Sequence, residues 1–93
     1  MTLKDHKPDI LFQGDELKRA RHRALSEAGF LTRNIAAELA LIAHSDDPAR
    51  KAAGRAWIIE AQARRRKALA DARAYRALIA ERDMGARLFG LVG

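Results

Sequence analysis

LKRARHRALSEAGFLTRNIAAELALI, residues 17–42, carries one uninterrupted apolar stripe at helical spacing: Leu17, Ala20, Ala24, Ala28, Leu31, Ile35, Leu39 and Ile42. Successive members are three or four residues apart with no missed turn, the period of an α-helix. A second row, Leu25, Gly29, Thr32, Ala36, Ala40 and Ala43, flanks the first and widens the apolar face. The phase passes through Gly29 without a slip, so one helix is expected from about Asp15 to His44. Asp15 and Glu16 supply negative charge at its positive end.

Working outward, His44-Ser45-Asp46-Asp47-Pro48 reads as a stop and restart, with Asp47 as N-cap and Pro48 at the first helical position. So short a connection folds the next helix back antiparallel. That second helix, expected from Pro48 to about Arg82, is rich in Ala, Arg, Lys, Glu, Gln and Leu, all strong helix formers. Its apolar residues gather near the two ends, with Arg64, Arg65, Arg66 and Lys67 between them. Four consecutive residues sweep most of a helix circumference, so at least one must point toward whatever packs on this helix. A turn centred between Asp46 and Asp47 sets residue i opposite residue 93 − i, which puts Trp57 beside Ala36, Leu39 beside Gly54 and Gly29 opposite Arg64.

Residues 1–14 are expected as an extended arm, because Pro8 disfavours helix at Lys7 and Gly14 precedes the helix start. Its apolar triplet Ile10-Leu11-Phe12, like the tail at 83–93 with Leu88, Phe89, Leu91 and Val92, is suited to covering an open end or docking elsewhere. The fold class is therefore all-α: a single domain with an arm at 1–14, a hairpin at 15–82 and a tail at 83–93.

Ninety-three residues with few aromatics and much alanine make a thin core, and thin cores are rescued by oligomerisation or a partner. The wide stripe is the expected assembly surface: Leu17, Ala24, Ala28, Leu31, Ile35, Leu39 and Ile42, joined by Leu11 and Phe12 of the arm and Leu88 and Phe89 of the tail. The net charge of +6 is uneven, with 7 Lys/Arg against 8 Asp/Glu over 1–47 and 11 against 4 over 48–93. Such an excess suits an anionic partner. Arg64, Arg65, Arg66, Lys67, Arg73 and Arg76 on the second helix, with Lys18, Arg19, Arg21 and Arg23 on the first, are the candidate contacts to a DNA or RNA backbone. The competing explanation is a solvated face with intrahelical pairs such as Glu60 with Arg64.

Other classes find little support. Cysteine is absent, which removes disulfide and thiolate chemistry, and His6, His22 and His44 stand singly. No enzyme, metal or cofactor is expected. No apolar run approaches the roughly 20 residues of a membrane span, and the first eight residues have no apolar signal core, so a cytoplasmic or virion-associated protein is expected. A ribbon-helix-helix needs an alternating strand where Ile-Leu-Phe is continuous. A helix-turn-helix over 32–59 has too long a turn.

The segment Tyr75-Arg76-Ala77-Leu78-Ile79 is similar to the end of a helical ribosomal protein of the small subunit, without that family's central histidine- and arginine-rich motif. In architecture the hairpin resembles the oligomerisation hairpin in small terminase subunits of tailed phages, without the helix-turn-helix usual there. That resemblance implies self-assembly in DNA packaging. The function expected is a non-enzymatic adaptor that self-assembles and contacts nucleic-acid backbone without reading sequence. The alternative is a protein–protein scaffold docking on a larger complex through arm and tail.

Overall fold

A computed structural model describes the backbone of residues 9–88 and the side chains of residues 16–85. It is a hairpin of two helices, α1 (Asp9–Ala43) and α2 (Pro48–Leu88), packed on one another. The whole is a long, flat body of 64 × 36 × 14 Å. Among the described residues there is no strand.

Both helices outrun their expected ends. α1 begins at Asp9, so 9–14 is helical where an extended arm is expected, and α2 continues through Gly85 to Leu88. A lone helical glycine costs only about 1 kcal/mol, which good formers on either side outweigh. Ile10 stands seven residues before Leu17, which continues the period of the stripe. Residues 1–8 and 89–93, and the side chains of Leu11, Phe12, Leu88 and Phe89, lie outside the described residues.

The connection forms as the sequence dictates. The Asp47 carboxylate accepts the Ala49 N–H at 3.0 Å, capping α2, and Lys51 N–H closes the first turn on the Asp47 carbonyl. α1 tightens at its end, with His44 and Ser45 N–H groups donating three residues back, to Leu41 and Ile42. The His44 ring donates from Nδ1 to the Ala40 carbonyl at 2.8 Å.

The core is a single seam. Ala24, Ala28, Leu31 and Ile35 of α1 are buried against Ile58, Ala61, Ala68 and Ala72 of α2. Leu31, Ile35, Ile58 and Ala61 form the central cluster with Ile42 beside it, which fits the register of i against 93 − i. Two expectations change here. First, α2 covers the middle of the stripe, from Ala24 to Ile35. Its alanines present no bulk, so the helices approach closely and Leu31 is only 1 % exposed. Ala24, Ala28, Leu31 and Ile35 are thus interior to the hairpin, not an assembly surface. Second, Leu39 is 50 % exposed, and Glu38 takes the seam position in its place, bonded to Arg50. Trp57 sits at the predicted level but on the other flank from the Ala36 row, lining a hollow with Glu38, Arg50, Ala53 and Gly54.

The glycines separate by what a side chain would meet. A Cβ on Gly54 would lie 2.5 Å from Ile42 Cγ2 and 2.7 Å from Glu38 Oε1, whereas one on Gly29 meets only the Arg33 guanidinium at 3.5 Å. Gly54→Ala should therefore lower stability by about 1 kcal/mol or more, overpacking exceeding the gain in helix propensity. Gly29→Ala should raise it by roughly 0.8–1 kcal/mol. Thermal unfolding of the two variants at one protein concentration checks the opposite signs.

Candidate nucleic-acid interface

A flat hairpin has two broad faces, and here they differ in charge chemistry. Every acid of α1 from residue 16 onward sits at an eleven-residue spacing, Glu16, Glu27 and Glu38, and those of α2 between 48 and 80 repeat it, Glu60 and Asp71. Eleven residues are almost three whole turns, so each set keeps to one flank of its helix. Those flanks fall on the same face. There Glu27 accepts the Arg64 guanidinium at 3.1 Å and Glu38 binds Arg50, both pairs bridging the two helices. Lys67 donates to Asp71 at 2.8 Å within α2, and Asp71 holds the Lys67 ammonium above its ordinary value. Toward the open end this ion-pair face carries a hollow lined by Glu16, Leu17, Ala20, Arg23, Leu78 and Arg82.

The opposite face is different. Arg21, Arg73 and Arg76 surround a shallow groove floored by Leu25, Leu69 and Ala72. Further along, Arg65 donates its Nε to Thr32 Oγ1 at 2.7 Å, and Thr32 in turn donates to the Ala28 carbonyl. No carboxylate lines this groove or the neighbouring hollow of Thr32, Ile35, Gln62 and Arg65. The groove spans both helices because the register sets Arg21 level with Arg73; of the α1 cations only Arg21 joins Arg73 and Arg76 there.

The ten candidate cations thus divide. Arg64 and Lys67 are committed to acids, and Arg65 lies partly buried over the seam on a hydroxyl. Arg64 and Arg65 bridge to α1, whereas Lys67 is paired within α2. Arg66 is exposed, and Lys18, Arg19 and Arg23 share a shallow hollow with His22. Arg21, Arg73 and Arg76 make no ion pair with a described side chain. Glu27 and Asp71 decide which members of the basic run remain unpaired, and their place in the eleven-residue spacing is the sequence signal for it.

The ends of the hairpin differ as well. Residues 30–63, the half around the turn, hold Arg33, Arg50, Lys51 and Arg55 against Glu38, Asp46, Asp47 and Glu60, a net charge of zero. Residues 16–29 and 64–85, the open half, hold eleven Lys/Arg against five Asp/Glu, a surplus of six. The excess that looked like a property of the C-terminal half is a property of one end.

The Glu38–Arg50 pair has a pH signature. Its hydrogen bond to Arg50 holds the Glu38 carboxyl below its ordinary 4.5. A carboxyl lowered in the fold stabilises above its unfolded pKa, and loses that contribution as pH falls through the folded value. Glu38→Gln should therefore be less stable than wild type at neutral pH, with the gap closing on acidification below about pH 4.5. Urea unfolding at a series of pH values reads the convergence.

Among the described residues no three His, Asp or Glu side chains are placed to hold a metal ion, and no helix is long and apolar enough to cross a membrane. Comparison with known proteins returns no family model, no curated protein and no solved structure that matches the chain.

Proposed function

We propose that the chain is a small, non-enzymatic helical adaptor that self-assembles and holds nucleic-acid backbone at its basic end without reading sequence. One observation carries this: a groove crossing both helices in which Arg21, Arg73 and Arg76 stand together with no carboxylate among the lining residues. Guanidinium groups fixed on two rigid helices suit the phosphates of a backbone, and bind them bidentately. No aromatic lines the groove, so stacking on unpaired bases is not part of the proposal. Arg66 and the Lys18, Arg19 and Arg23 group extend the positive field around it. A nucleoprotein assembly such as that of phage-type DNA packaging is the setting its architecture resembles.

Random-sequence duplex DNA titrated across salt tests the proposal. Log affinity should fall linearly with log salt, with a slope of about −0.9 for each phosphate engaged. Micromolar chain that leaves the duplex unbound at low salt overturns it, and an acidic protein as the only ligand would favour the scaffold reading.

A further inference from the structure

The middle of the stripe expected to drive assembly is buried inside the hairpin, yet large apolar side chains remain outside it. Phe30 is 58 % exposed, Leu41 59 % and Trp57 39 %. Phe30 and Leu41 lie one turn beyond Glu27 and Glu38, and Trp57 lies seven residues from both Arg50 and Arg64, so all three stand on the ion-pair face. We propose that this face is where a second copy of the chain docks, in an antiparallel, two-fold arrangement centred on Trp57. This deepens the self-assembly part of the proposed function and rests on it.

Three features favour a second copy as the occupant. The first is symmetry. Ile35 packs with Ile58, so Trp57 is level with residue 36, and Phe30 and Leu41 fall at nearly equal distances on either side. A two-fold axis lying across the helices at that level sets Phe30 of one copy on Leu41 of the other, and Trp57 on Trp57. A contact that repeats itself under rotation is what an isologous interface requires.

The second is charge. The ion pairs Glu27–Arg64 and Glu38–Arg50 neutralise this face internally, and the half of the hairpin around it has no net charge. An axis along the helices would superpose the two basic ends. The axis across them sends those ends in opposite directions, so the charge distribution selects the antiparallel arrangement.

The third is area. Overlap of about 20 residues of each helix gives a footprint of roughly 30 by 20 Å. That approaches the ~800 Å² that a standard interface buries on each partner. The product is a four-helix, two-layer body with a basic groove facing outward near each end, able to hold two backbone segments at once.

Sedimentation and the emission of Trp57, the sole tryptophan, test this on the full chain without nucleic acid. The chain should be a dimer, and Trp57 emission should shift to the blue as concentration rises through the micromolar range. Phe30→Glu combined with Leu41→Glu should raise the dissociation constant at least about a hundredfold with helicity unchanged. Ile59→Glu, exposed on the other flank of α2, should leave it alone. If the double variant fails to fold, the wild-type emission series still decides. A monomer whose emission ignores concentration overturns the surface and self-assembly together, leaving the DNA titration to judge phosphate binding. A dimer that survives the double variant, or dissociates with Ile59→Glu, overturns the surface alone.

Discussion

Leu31→Ala is expected to cost about 3–5 kcal/mol, the largest loss any single truncation here should produce. Among the described residues Leu31 is the one large side chain that is fully buried, and it sits where Ile35, Ile58 and Ala61 close around it. Burial of this completeness brings both terms of a large-to-small change, the lost transfer free energy and the residual cavity. The neighbours do little to relieve it. Ala61 is too small to fill the space, and two rigid helices held at close approach cannot collapse locally without moving along their length. Native stability of a domain is commonly 5–15 kcal/mol, and a chain with a core this thin belongs at the lower end. The variant should therefore be partly unfolded at physiological temperature. Leu39→Ala, eight residues on but half exposed, should change stability by no more than about 0.5 kcal/mol. Urea unfolding of both at matched protein concentration is the measurement, since association adds concentration-dependent stability. Equal losses for the two would mean that Leu31 is not the keystone of the seam.

The second large effect concerns the basic groove. Replacing Arg21, Arg73 and Arg76 together with glutamine removes up to three phosphate contacts, and each is worth a slope of about 0.9 in log affinity against log salt. The salt slope should flatten by about 2.7, and affinity near 0.1 M salt should fall by roughly 500-fold. Glutamine keeps length and helix propensity, and none of the three bonds to a described acid, so helicity and mass should not change. The informative comparison is Arg64→Gln with Lys67→Gln. Those side chains are engaged with Glu27 and Asp71, so their loss should touch binding less and lower stability only slightly. An inverted ranking would return the site to the basic run.

The hairpin itself was plain in the sequence, because each of its determinants is local. The stripe from Leu17 to Ile42 has one period, and Asp47-Pro48 is a cap with a mechanism. A four-residue connection then leaves only one register, which is why Ile35 meets Ile58. Details that depend on how closely two helices approach were not legible. Whether Leu39 or Glu38 faces the seam is a choice between adjacent positions, settled by the bond Glu38 makes to Arg50 across it. Alanine on α2 offers little area, which makes the stripe read as an assembly surface, yet it also lets α1 come near. The basic run looked like one site because charge along a chain is visible, while the acids that occupy two of its members lie 37 residues from Arg64 and four from Lys67. The eleven-residue spacing of those acids is visible in the sequence, but its meaning depends on a second helix to bond to.

A single connection also grades the molecule in time. Contacts near Asp47 join residues close in the chain, whereas those between Leu17 and Leu78 close a loop of some 60 residues, and both of these are partly exposed. Formation should then begin at the turn and run outward, and opening should begin at the far end. Backbone amide exchange ought to be slowest around Leu31 and Ile58 and to quicken toward Arg21 and Arg76. The proposed phosphate groove thus occupies the part of the hairpin that opens first. Bound backbone would slow exchange there most, writing its position along the chain as a change in protection.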